Sequence, residues 1–177
     1  MLAEILKYTY NDYKNWEGDW ELIDGYPVAM APSPFGPHQA IMSKLVTILN
    51  IQLEKCNNDC FVYAELDWII NDFTVVRPDV SVVCKKIRKH LKETPEFIAE
   101  IVSNSSVKID EKIKFDLFEK EGVKTYMIIS IPTRKVRVFK LQNNEYKKIA
   151  DKEEGEIGFK ISNCEINFDA AVFWRYL

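Results

Sequence analysis

Apolar and polar positions follow two different periods along this chain, and the switches between them mark its elements. Alternation of period two, or short apolar runs rich in β-branched residues, predicts strands over Asp19–Ile23, Tyr26–Ala31, Cys60–Trp68, Trp68–Ile70, Phe73–Cys84 and Glu96–Val102. Further strands are predicted over Val123–Ser130, Val136–Leu141, Tyr146–Ile149 and Glu156–Ile161. A helical period runs from His38 to about Lys55, where Ile41, Leu45, Ile48, Leu49 and Leu53 share one stripe and His38 opens it in the first turn. A second helix is predicted from about Val107 to Glu121, with cap-type residues at Ser103–Ser106 and a C-cap glycine at Gly122.

The breakers agree with this division. Asp24-Gly25 between apolar runs predicts a tight hairpin. Ala31–Pro37, APSPFGP, predicts a loop, and Asn71-Asp72 and Pro132–Lys135 predict turns. Lys85–Pro95 reads as a basic loop or short helix, residues 1–18 as a short segment with helical character, and the closing CEINFDAAVFWRYL as an apolar end docked on the body. Strands on both sides of helices predict an α/β fold, a sheet covered by helices.

Composition narrows the class. The 177 residues suit a single domain, 1–177, and 47% hydrophobic with 29% charged residues is a soluble, globular balance. No run of about 18 uncharged apolar residues occurs, so no membrane association is expected. The start, MLAEILKYTYNDYKNW, lacks a basic stretch followed by an apolar one, which predicts a cytoplasmic location. The four cysteines, Cys56, Cys60, Cys84 and Cys164, form no CxxC pair and are expected as reduced, mostly buried thiols; with two histidines in the chain, a zinc site is not expected. A net charge of −3 offers nucleic acid no global attraction. DNA contact would rest on a local patch, the run Lys85, Lys86, Arg88, Lys89, His90 and Lys92, for which a solvated loop is the ordinary reading.

The candidate chemistry sits between Val75 and Lys120. Each central apolar run carries one acid, Asp79 in VVRPDVSVVC and Glu100 in PEFIAEIVS. Alternation puts Arg77, Asp79 and Ser81 on one face, opposite Val76, Pro78, Val80 and Val82; in the next strand Ile98, Glu100 and Val102 share a face. A carboxylate among apolar neighbours needs a basic partner or a metal, because desolvating it alone costs several kcal/mol. On the following helix Ile113, Leu117 and Phe118 define an inward arc that includes Asp110 and Lys114, while Lys112 faces water. The ordinary reading of Lys114 is a surface pair with Asp110. Glu21 and His38 are further candidates, each also readable as structural, and Asp67 reads as an exposed strand residue.

Pro78-Asp79 followed by Glu100-Ile101-Val102 resembles the PD-(D/E)XK nuclease superfamily, with Val102 where lysine is usual and Lys114 as its migrated replacement. Five blocks in order, WELIDGYPV, PSPFGPHQAIMSKL, VVRPDVSVV, FIAEIVSNSS and KIKFDLFEKEGVKTYMIIS, are similar to the Uma-type (Uma-two) restriction-endonuclease family, over a core of about residues 19–141. SNSS departs from it, since the family commonly has a proline after the first serine. The resemblance implies a restriction-endonuclease-like core, a mixed β-sheet flanked by helices, with extra N- and C-terminal strands. It implies an endonuclease hydrolysing phosphodiester bonds in DNA, with Asp79, Glu100 and the Ile101 carbonyl holding Mg²⁺ or Mn²⁺ and Lys114 as catalytic lysine. Glu21 would be the family's N-terminal acid and His38 the histidine opening its first long helix. Two other readings stay open. One is a nuclease-fold protein that binds nucleic acid or regulates without cleaving. The other is a metal-independent hydrolase using paired carboxylates. A homodimer would suit cutting two strands, with Phe168, Phe173, Trp174 and Tyr176 as interface or core.

Overall fold

The computed structural model describes residues 6–30, 36–103 and 109–177, without the side chains of residues 109, 110 and 176. Most of the expected Ala31–Pro37 loop, residues 104–106 of the cap region, the helix start at Val107 and the side chain of Asp110 lie outside the described residues.

The Asp24-Gly25 hairpin joins β1 (Trp20–Ile23) to β2 (Tyr26–Ala29), and both turn residues take the positive φ that a tight turn requires, 51° and 81°. α2 spans Gly36–Leu53, after a short α1 at Tyr10–Tyr13, all that forms of the expected N-terminal helical character among the described residues. The helix thus begins earlier than the proline-rich pattern predicts. Pro37 is tolerated because a first-turn N–H has no intrahelical partner to lose.

Next come β3 (Phe61–Ala64), β4 (Trp68–Asn71), β5 (Thr74–Val76), β6 (Val80–Val83) and β7 (Phe97–Val102). The predicted strand Phe73–Cys84 is therefore two strands in two sheets, broken at Arg77-Pro78-Asp79. Proline cannot donate to a ladder, and the alternation does not carry across it: Val76 packs on the opposite side of the structure from Val80 and Val82. The basic stretch after β6 forms no helix; its Leu91 makes an isolated bridge to Trp68. A π-helical turn at Ile109–Ile113 runs into α3 (Lys114–Lys120), followed by β8 (Thr125–Ser130), β9 (Lys135–Gln142), β10 (Glu145–Lys152), β11 (Glu156–Ile161) and β12 (Cys164–Asp169). The wider π turn shifts the phase of the helix. Ile113, expected inward, is 41% exposed, while Lys114 and Phe118 are buried and Lys112 faces water as expected.

The strands form a mixed six-stranded sheet, β10-β9-β8-β7-β6-β3, an antiparallel four-stranded sheet, β2-β1-β5-β4, and the β11–β12 hairpin. β7 and β8 are the parallel pair, linked by the crossover that carries α3. α2, the β11–β12 hairpin and the C-terminal turn cover one face of the large sheet, burying Leu45, Leu49, Val82, Ile101, Phe159 and Phe173. α3 and one face of the small sheet cover the other, around Trp68, Ile98, Phe118 and Tyr126. No helix among the described residues is long and apolar enough to cross a membrane. The α/β class and the mixed sheet with added terminal strands are as the sequence predicts.

The cysteines are not. Cys56 is bonded to Cys164 and Cys60 to Cys84. The second pair continues the β3–β6 register one step beyond Phe61 opposite Val83, and the first ties the end of α2 to the start of β12. Partners 108 and 24 residues apart leave no local spacing signal. Disulfides persist in oxidising compartments, which sits against the expected cytoplasmic location. Before reduction, iodoacetamide should label none of the four cysteines, and all four after unfolding and reduction; a thiol that labels in the native, unreduced protein would contradict the pairing. Reduction should lower the melting temperature by roughly 15–30 °C, since each of the two closed loops is worth about 3–5 kcal/mol.

Candidate active site

Lys114 opens α3 with its side chain turned into the protein and 4% of the residue exposed. Its ammonium lies 2.9 Å from Glu21 Oε1 and 3.0 Å from Glu100 Oε1. Both carboxylates are as buried as the lysine: each residue is 2% exposed. Glu21 sits on β1 of the small sheet and Glu100 on β7 at the centre of the large one, so one ammonium joins two sheets and a helix. Glu100 reaches this place because Ile98 and Val102, on the same face, pack among the side chains beneath α3.

The strand break supplies the rest. With β6 beginning at Val80, the side chain of Asp79 is free to turn back on the ladder. Its Oδ2 accepts from the Ile101 N–H at 2.6 Å, and its own N–H donates to Glu100 Oε2 at 3.3 Å. His38 Nε2, in the first turn of α2, lies 3.2 Å from the same Asp79 oxygen. The side chains of His38 and Asp79 are each 14% exposed, those of Lys114 and Glu100 6% and 3%, so the cluster opens to solvent on the His38–Asp79 side.

The structure therefore brings Glu21, His38, Asp79, Glu100 and Lys114 into one connected group. Ile101 joins it through its N–H. Among the described residues no three His, Cys, Asp or Glu side chains form a ready-made metal-holding group. The donor chemistry would still suit a hard divalent cation: Glu21 and Glu100 share one ammonium, and the Asp79 carboxylate meets the His38 imidazole and the Ile101 N–H, so the donors are oxygens.

Arg77, which alternation only places on the face of Asp79, is a further participant. Its backbone N–H donates to Glu21 Oε1 at 2.7 Å, while its guanidinium bonds Asp67 at 2.7 Å and Asp19 at 2.9 Å. Burial opposes its charge, but the hydrogen bond and charge of Asp67 prevail and hold its pKa above the ordinary value. Asp67, expected as an exposed strand residue, lies instead between β3 and β4, paired and largely buried, and Tyr13 Oη reaches it at 3.4 Å. The available signal was an arginine directly before Pro-Asp, where its backbone must leave the ladder. Burial, reinforced by the Asp67 charge, raises the Tyr13 phenol from 10.0 to about 12.

A family model described as "Uma2: Putative restriction endonuclease" matches residues 4–158. A solved structure described as a putative nuclease belonging to DUF820, from Anabaena variabilis ATCC 29413, superposes with a TM-score of 0.78 over 95% of this chain and 98% of that one, at 19% identity. No curated protein matches the chain significantly.

Replacing Lys114 with methionine leaves two buried carboxylates without their shared ammonium and should cost about 3–5 kcal/mol of unfolding free energy in urea. Adding Glu21→Gln and Glu100→Gln should recover most of it; a loss under about 1 kcal/mol would mean that the acids are solvated rather than held by the ammonium. For Tyr13 the sign is fixed by its raised pKa: the stabilisation is complete below the unfolded value near 10 and is lost as pH climbs through about 12. Urea unfolding from pH 9 to 11.5 should therefore fall more steeply for the wild type than for Tyr13→Phe.

Proposed function

The chain belongs to the Uma2 family, and from that footing we propose that it is a metal-dependent endonuclease hydrolysing phosphodiester bonds in DNA. The observation that carries the proposal is the buried cluster in which Glu100 meets both Lys114 and the Asp79 backbone. Asp79 and Glu100 would hold Mg²⁺ or Mn²⁺, which supplies a bound water of lowered pKa and neutralises phosphate charge. The chain's own groups do the remainder. Lys114 presents a fixed positive charge where negative charge builds on the phosphate. Glu21, itself held by the Arg77 N–H, keeps that ammonium in place. His38, at the more open side and at the start of an 18-residue helix, would meet the phosphate where helix N–H groups favour anions. The basic stretch after β6 would track the strand's backbone.

A second reading has one observation in its favour. The Asp79 and Glu100 oxygens are already engaged by protein groups, as they would be in a nuclease fold retained for binding without cleavage.

The test is cleavage of plasmid and linear duplex DNA with Mg²⁺ or Mn²⁺, beside calorimetric titration of both metals. Cleavage that EDTA abolishes, and that Asp79→Asn and Glu100→Gln each lower roughly 100-fold or more, supports the nuclease. Metal binding lost in Asp79→Ala but accompanied by no cleavage of DNA or RNA supports the second reading. Cleavage undiminished in both acid variants would overturn the assignment of the site.

A further inference from the structure

A cavity of about 250 Å³ lies on the other face of the small sheet from the acid cluster, walled by the rings of Tyr10, Tyr13, Trp16 and Trp20 and by Arg77 and His90. We infer that it is a subsite for one unpaired nucleobase of the strand whose phosphate reaches the acid cluster. The inference rests on the nuclease reading and adds to it a substrate class: a strand presenting an unstacked base.

Four observations converge on this occupant. The first is shape. Trp16 meets Tyr13 and Trp20 edge to face, at interplanar angles of 63° and 72°, so the rings wall the cavity instead of filling it. Planar aromatic walls accept a planar ring, and every base has a π-face to stack on them. The second is size. The volume falls below the roughly 300–1,000 Å³ of pockets for drug-sized ligands, which fits one small ring system rather than several.

The third is charge. An aromatic box can also hold a quaternary ammonium, but the one carboxylate in this lining, Asp67, is engaged by the Arg77 guanidinium, which also bonds Asp19, and Lys14 adds an ammonium. Such a rim offers a cation no open carboxylate, and the Lys14 ammonium suits a ligand with phosphate attached. The fourth is continuity. Trp20 directly precedes Glu21, and Arg77 stands two residues before Asp79 with its N–H on Glu21. His90 belongs to the basic stretch that the Leu91–Trp68 bridge lays beside the small sheet, and Lys86, Arg88 and Lys89 of that stretch are exposed. The basic stretch thus meets the cavity at His90, and β1 and Arg77 contribute to the cavity on one face of the sheet and to the acid cluster on the other.

The experiment uses the full chain in Ca²⁺, to permit binding without demanding turnover, and two single strands of equal length and charge. One carries bases, with a 2-aminopurine at its centre, and the other abasic spacers. The expected result is tighter binding of the base-bearing strand and quenched 2-aminopurine emission. Trp16→Leu and Tyr10→Leu, each checked for an unchanged fold by circular dichroism, should narrow the preference by about 5- to 150-fold. Equal affinity for the two strands would overturn the subsite, as would tetramethylammonium competing for the cavity. The two proposals fail separately. Base preference in a protein that never cleaves keeps the subsite and removes the nuclease reading. Metal-dependent cleavage with no base preference does the reverse.

Discussion

The ammonium of Lys114 between two buried carboxylates is the constraint on which the arrangement depends. Ions taken out of water at this depth are tolerated only where partners sit within hydrogen-bonding distance. Glu21 comes from the small sheet, Glu100 from the large one and Lys114 from the crossover between the parallel strands. The ammonium is the charge partner that the two carboxylates share. The apolar packing of Trp68, Phe118 and Tyr126 beside them keeps water away, and so sharpens the demand for pairing. Satisfying that demand fixes how the small sheet and α3 lie against the large sheet.

The break at Arg77-Pro78-Asp79 is the local device that makes this possible. One continuous strand would have bound every backbone group into a ladder. The interrupted one passes from one sheet to the other and leaves the Arg77 N–H for Glu21, the Asp79 N–H for Glu100 and the Asp79 carboxylate for Ile101. Pro78 costs a ladder bond that this place does not use.

Much of this was legible in the chain. The face shared by Ile98, Glu100 and Val102 follows from alternation, and the inward turn of Lys114 follows from helical phase. His38 lies on the buried stripe of α2 because Ile41, Leu45 and Leu49 set that stripe. What could not be read depends on contacts remote in sequence. Nothing near Cys60 announces Cys84, and nothing near Asp67 announces the Arg77 guanidinium. The exposure of Ile113 required knowing that the preceding turn is π rather than α. The strand break was half visible: Pro78 marks an interruption, but which sheet each half joins is decided by partners far along the chain.

The Cys56–Cys164 bond has a consequence for covalent architecture. It turns residues 56–164 into a closed ring that carries Asp79, Glu100 and Lys114, with the Cys60–Cys84 link nested inside it. A single backbone cut anywhere within that ring leaves one molecule, and the chain ends it creates stay tethered on both sides. The oxidised protein can thus be nicked in a surface loop without shedding a fragment, and the groups around Lys114 remain in one another's neighbourhood even when the peptide connecting them is severed.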